Sequence, residues 1–247
     1  MEIRQAPAHY VGVDGCKGGW FAVSLTKDGG LTGTVYPDIA VLMAACKPAA
    51  PVLIDIPIGL PDREKRQVES LARQRLGPRA YSVFPVPSRA ALQADDYPMA
   101  CQVNREKMGK ALSKQSWFIG PKILEVDAYL AAHPHAQASL RECHPELAFW
   151  ALGGGQPMAH AKKTQEGQQA RLALLSAWVS DAEAFFQETL KQYKRKDLLA
   201  DDILDALCLA ITASHYPDWG QLPESMQYDL RVLPMEMVYS TRRLTKG

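Results

Sequence analysis

Four aspartates are spaced as if to work together. Asp14 lies in the stretch YVGVDGCKGGW (10–20), Asp55 in PVLIDIP (51–57), and Asp202 and Asp205 in DDILDAL (201–207). Asp14 and Asp55 each end a short apolar run, where a charge is costly unless it caps a turn or faces a cation. Asp202 and Asp205 sit three apart on a helical pattern, so their carboxylates share one face about a turn apart. Carboxylates gathered from separate elements repel one another and raise their own pKa values. Mg²⁺ or Mn²⁺, hard ions that take oxygen ligands, turn that repulsion into coordination. Two such ions about 4 Å apart can activate a water and stabilise the leaving oxygen in phosphodiester hydrolysis.

The elements that must position these groups follow from pattern. Tyr10–Val13 and Trp20–Leu25 are strand-like on either side of a glycine-rich turn. Leu31–Tyr36 follows the turn signal Lys27-Asp28-Gly29-Gly30, which makes the three an antiparallel meander. Asp38 caps a short helix from Ile39 to about Cys46, stopped by Lys47-Pro48. The run Pro51–Pro57, between a helix and a proline, suits a buried parallel strand. From about 58 to 138 the texture is helical: a charged helix over 62–76, a proline-punctuated loop 82–88, and helices near 88–94, 98–109 and 116–131. We read this as a helical insertion or cap within a single domain spanning 1–247. Leu140–His144 is a further short strand, and Pro145 opens a helix to Leu152. A helical stretch over 164–194 breaks near 179–182, a helix covers 197–215, and 227–239 is a weak strand or hairpin. The class is α/β.

Bulk properties narrow the field. A hydrophobic share of 47% over 247 residues supports a substantial core, and a net charge of +1 argues against a surface that grips nucleic acid over its whole extent. The five cysteines, at 16, 46, 101, 143 and 208, show no C-x-x-C spacing, which disfavours a disulfide framework or a structural zinc site. The polar start MEIRQAPAHY lacks the apolar stretch of a signal peptide. A cytoplasmic location is expected. There is no phosphate loop, no G-x-S-x-G elbow and no H-E-x-x-H, and glycines 12, 15, 18 and 19 do not fit a dinucleotide fingerprint.

The order of elements, strand with Asp14, meander, helix, strand with Asp55 and a late helix with Asp202-x-x-Asp205-Ala-Leu, resembles the ribonuclease-H-like superfamily. More narrowly, GVDGCKGGW, LIDIPIGLP, SVFPVPSRAAL, ECHPELAF, KKTQEG and DDILDAL together resemble domain-of-unknown-function family 429, described as predicted nucleases of ribonuclease-H fold. The resemblance covers roughly residues 10–240. It implies a mixed five-stranded sheet, three strands antiparallel and two parallel, flanked by helices. It also implies metal ligation by Asp14, Asp55, Asp202 and Asp205, with Glu146 in His144-Pro145-Glu146 as a fifth candidate. Asp14 would bridge two Mg²⁺ or Mn²⁺ ions, and the substrate would be DNA or RNA. A homodimer is compatible with this reading.

Other residues have a plainer role beside a functional one. Lys17, Lys162 and Lys163 suit phosphate contacts, but suit a solvated turn or helix face better. The same holds for the basic run 63–79. Asp201 suits the helix macrodipole better than Asp202 does. Trp117, Trp150 and Trp178 suit a core better than base stacking, and His144 is as much a packed histidine as a proton shuttle. Two other functions compete with hydrolysis. One is a non-catalytic protein that keeps its carboxylates for an ion or uses the insertion to bind a partner. The other is an actin-like ATP-dependent phosphotransferase, which would need a second strand-aspartate-glycine turn that this chain lacks.

Overall fold

A computed structural model describes residues 9–46 and 50–244. The Lys47-Pro48 stop and most of the polar N-terminus lie outside the described residues. Among the described residues, seven strands and nine α-helices follow in chain order: β1 (His9–Cys16), β2 (Gly19–Thr26), β3 (Leu31–Tyr36), α1 (Ile39–Ala45), β4 (Val52–Ile54), α2 (Gln67–Leu76), α3 (Arg89–Leu92), α4 (Tyr97–Met108), α5 (Lys114–Ala132), β5 (Leu140–Glu142), α6 (Pro145–Leu152), α7 (Gln165–Ser176), α8 (Ala182–Gln192), α9 (Ala200–Ser214), β6 (Trp219–Leu222) and β7 (Met237–Ser240).

Five of the strands form one mixed sheet in the order β3-β2-β1-β4-β5, and β6 and β7 pair separately as an antiparallel hairpin. β1 to β3 run antiparallel, while β4 joins β1 and β5 joins β4 in parallel. The meander, the mixed five-stranded sheet and the flanking helices agree with expectation. Two helix starts do not. The helix expected from Asp62 begins at Gln67, because 61–66 is irregular, and the helix expected from Asp197 begins at Ala200.

Alternation along the strands decides what each face meets. Tyr10, Cys16 and Leu53 point to the face covered by α6, α7, α8 and α9, where they pack with Phe149, Leu175 and Leu207. Val11, Val13, Val52 and Ile54 point to the opposite face, where Ile39 and Leu42 of α1 and Ile123, Val126 and Leu130 of α5 cover them. The 58–138 segment is therefore more than a cap, since α5 supplies much of the second helical layer. A smaller core joins α2 to α6 and the β6–β7 hairpin through Val68, Leu76, Leu147 and Met237.

The helix that matters most is α9. Twelve of its fifteen residues are buried, so it is apolar all round, as a helix enclosed by other elements must be. It lies directly on β1. A Cβ placed on Gly12 would stand 2.1 Å from both the Ala206 carbonyl oxygen and the Ala210 nitrogen. Only glycine allows that approach.

Candidate active site

Strand parity brings the first two aspartates together. Asp14 lies two residues beyond Gly12, and Asp55 two beyond Leu53, so both project to the face that carries α9. The parallel pairing matches Val13 with Ile54 and continues with the Asp55 amide donating to the Val13 carbonyl at 2.9 Å, so the two aspartates are neighbours across the ladder. The close seat of α9 adds Asp205. Asp14, Asp55, Asp202 and Asp205 all line one cleft of about 510 Å³, together with Glu146, His144, Lys162 and Lys163.

The charges in this cleft are unbalanced. Lys162, on the connection between α6 and α7, places its Nζ 2.7 Å from Asp205 Oδ2 and 3.7 Å from Asp201 Oδ2. Among the described residues Asp14 accepts only from the next amide, that of Gly15, at 2.7 Å. Burial raises the Asp14 carboxyl well above the usual aspartate range, and the charges of Asp55 and Asp205 raise it further while Lys162 opposes them. Burial likewise raises Asp55, opposed by His144 and Lys162. It raises Asp205, with Lys162 again opposing. Burial also works against the Lys162 ammonium, but Asp205 and Asp14 outweigh it and raise its pKa. In all three carboxylates burial is the largest cause of the rise, and the Lys162 ammonium opposes it.

The remaining candidates divide. Asp202 accepts from the Leu199 amide at 2.9 Å and so satisfies the N-cap amide of α9, the helix-end role that sequence gave to Asp201. Burial pushes Asp202 up to about 6. Asp201 instead turns toward Lys162. Glu146 is gripped by the guanidinium of buried Arg171, at 2.8 and 3.1 Å, so its oxygens already have a partner. His144 caps α6: its Nδ1 accepts from the Glu146 amide at 3.2 Å and its Nε2 faces the Ser82 carbonyl at 3.3 Å, a packed arrangement. Lys163 is exposed on the cleft wall, and Lys17 is exposed on the β1–β2 turn. That turn borders a shallower recess that shares Gly15 and Asp202 with the cleft and adds Lys122. Among the described residues, no group of three or more His, Cys, Asp or Glu side chains stands as one that could hold a metal ion.

A family model described as "Protein of unknown function (DUF429)" matches residues 12–225. The chain belongs to that family. Neither a curated protein nor a solved structure matches it. Among the described residues no helix is long and apolar enough to cross a membrane.

Several cleft residues of this DUF429 chain escaped sequence reading. Part of the basic run 63–79 is no solvated helix face: Arg63 and Lys65 stay exposed, but Arg66 and Arg79 are buried, Arg66 holding Glu142 at 2.8 Å and Arg79 donating to the Met158 carbonyl at 2.7 Å. Glu142 and Met158 lie more than seventy residues from their arginines, so no local signal announces those two bonds. Lys122 did leave a trace. Gln115, Ile119 and Lys122 recur at helical spacing on α5, and this stripe runs along the cleft into the recess. There Lys122 donates to the Gly19 carbonyl at 2.5 Å and lies 4.3 Å from the Trp20 ring centroid. The three tryptophans, 117, 150 and 178, are half-buried and pack against the cores.

Proposed function

We propose that this protein hydrolyses phosphodiester bonds in nucleic acid, with Asp14, Asp55 and Asp205 as the reacting cluster and Asp202 at its rim. The observation that supports it most is the convergence of Asp14, Asp55 and Asp205 in one cleft with a single ammonium on them. Neighbouring buried carboxylates, by contrast, have guanidinium partners. The strand order β3-β2-β1-β4-β5 with α9 across β1 is consistent with a ribonuclease-H-like fold, which is an argument by analogy.

The donor set fits Mg²⁺ or Mn²⁺ in kind, since it offers only hard carboxylate oxygens whose raised pKa values a divalent cation would reverse. Asp14, Asp55 and Asp205 would hold the ions, with Asp202 completing a shell through the oxygen that does not cap α9. Two divalent ions supply an activated water and shield the departing oxygen in this class of reaction. Lys162 occupies Asp205 Oδ2, so that carboxylate would ligate through its other oxygen. Lys17 and Lys122 on one side, and Lys163 on the other, place positive charge where the phosphates flanking the scissile one would lie. The test is hydrolysis of branched, single-stranded and hybrid nucleic acids with Mg²⁺ or Mn²⁺. An Asp14→Asn protein that cuts as fast as the parent ends this reading.

One observation favours a second reading. The Lys162–Asp205 pair at 2.7 Å, with no three ligands grouped for an ion among the described residues, suits a non-catalytic cluster. A parent protein that neither binds Mn²⁺ by calorimetry nor turns over any of these substrates would select it.

A further inference from the structure

The cleft has an aromatic edge that hydrolysis alone does not use. Tyr81, at the end of a short 3-10 helix after α2, lines the cleft yet leaves 72% of its surface exposed. Solvent seldom surrounds a large ring that is also held in place, and this one is held. Buried Arg79 donates from Nη1 to the Tyr81 hydroxyl at 2.5 Å, and its guanidinium carbon lies 5.9 Å from the ring centroid. Arg79 is itself tied to the Met158 carbonyl, and Arg73 ties the following loop by donating from Nε to the Val83 carbonyl at 2.8 Å. The platform is thus fixed before any ligand arrives.

The neighbouring wall is apolar. Val83, Phe84, Val86 and Ile119 line the same cleft, opposite in character to the aspartates. A volume of about 510 Å³ is that of a small-molecule site. A phosphate reaches the carboxylates only by entering that volume, with its base against the apolar wall. An unpaired strand can do this, while a duplex keeps its base faces stacked inside.

We infer that the cleft selects unpaired nucleic acid and that Tyr81 is its base-stacking, specificity-determining residue. This rests on the phosphodiester reading and names its substrate class: single strands or splayed ends. Stacking of a base on an aromatic ring is worth roughly 5- to 150-fold in affinity.

The test is fluorescence anisotropy of the full chain with labelled 12-nucleotide DNA and RNA single strands and the matching duplexes. Ca²⁺ replaces Mg²⁺, and a gel checks that the strands stay whole. The parent should bind single strands at least tenfold more tightly than duplex. Tyr81→Ala should weaken single-strand binding by roughly 5- to 150-fold and leave duplex binding unchanged, while Tyr81→Trp should restore it. Tyr81→Phe, which keeps the ring but loses the Arg79 anchor, should fall between. Equal or tighter duplex binding, an unchanged Tyr81→Ala protein, or no binding of either form overturns the inference. The two readings fail separately. Tyr81-dependent single-strand binding with no cutting by the parent under Mg²⁺ or Mn²⁺ sinks hydrolysis alone. Asp14-dependent cutting with duplex preferred sinks the single-strand inference alone.

Discussion

Two neighbouring strand ends treat their buried carboxylates in opposite ways. At the end of β5, Glu142 receives both oxygens' worth of hydrogen bonds from Arg66 at 2.8 Å and a further one from the Ile58 amide at 2.7 Å. Arg66 also faces Glu69 at 3.0 Å. Nearby, Arg89 and Arg231 hold Asp127, and Arg89 reaches Asp229 as well. At the ends of β1 and β4, no guanidinium among the described residues pairs with Asp14 or Asp55, and with Asp205 they share one lysine. The sheet's alternation separates the two groups: Leu140 and Glu142 point to the α5 face, and Asp14 and Asp55 to the α9 face. A guanidinium offsets part of the cost of burying a carboxylate, although burial still raises Glu142 to about 8. Asp14, Asp55 and Asp205 lack that offset and cost stability unless something outside the fold completes them.

That contrast can be broken most forcefully at Gly12. Gly12→Ala drives a methyl group into α9 backbone, so we expect a loss of more than about 4 kcal/mol or failure to fold, read by chemical denaturation. A loss under about 1 kcal/mol would mean that close packing is not what brings Asp205 to β1. Next comes the matched side. Arg66→Leu leaves Glu142 and Glu69 buried without their partner and should cost about 3–5 kcal/mol in urea unfolding.

The unmatched side should respond in the reverse sense. Asp14→Asn removes a repelled charge, so its urea midpoint should hold or rise, while hydrolysis falls at least about a hundredfold. A large loss of stability instead would class Asp14 with the structural carboxylates. The smallest effect concerns pH. Asp202 ionises in the unfolded chain near pH 3.9 but only at about 6 in the fold. The folded state keeps the extra proton across that window, so the contribution to stability is full below it and is lost as pH rises through it. Asp202→Asn, which can still cap α9, should flatten this decline when unfolding is measured from pH 4 to 7. An unchanged slope would show that Asp202 ionises normally.

Much of the scaffold was legible because it rests on local rules. Alternating apolar runs separated by Lys17-Gly18 and by Lys27–Gly30 gave the meander, and the apolar periodicity of DDILDAL and its continuation gave α9. Asp14 and Asp55 stood out because a charge at the end of a buried run is an anomaly in itself, and Asp202 and Asp205 because three-residue spacing puts both on one helix face. Partner choice was not legible. Lys162 and Lys163 are adjacent in sequence and look alike, yet one lies on Asp205 and the other faces solvent. Asp201 and Asp202 exchanged the roles that helix-end chemistry alone would assign, because the turn of α9 points Asp202 back at the Leu199 amide. Glu146 looked like a ligand until Arg171, twenty-five residues on, was seen to hold it.

By itself, then, the sequence determined the strand and helix pattern, the face on which each strand residue falls, and four aspartates, 14, 55, 202 and 205, needing an explanation. These follow from backbone periodicity and the cost of burying charge, both properties of short segments. Which carboxylates are matched was decided only in three dimensions. An arginine or lysine neutralises whichever acid the packing of distant helices brings within about 4 Å, and Coulomb attraction of that strength has no counterpart in sequence separation. Tertiary structure therefore sorted the acids into those paired within the fold and the cluster at Asp14, Asp55 and Asp205 that is not.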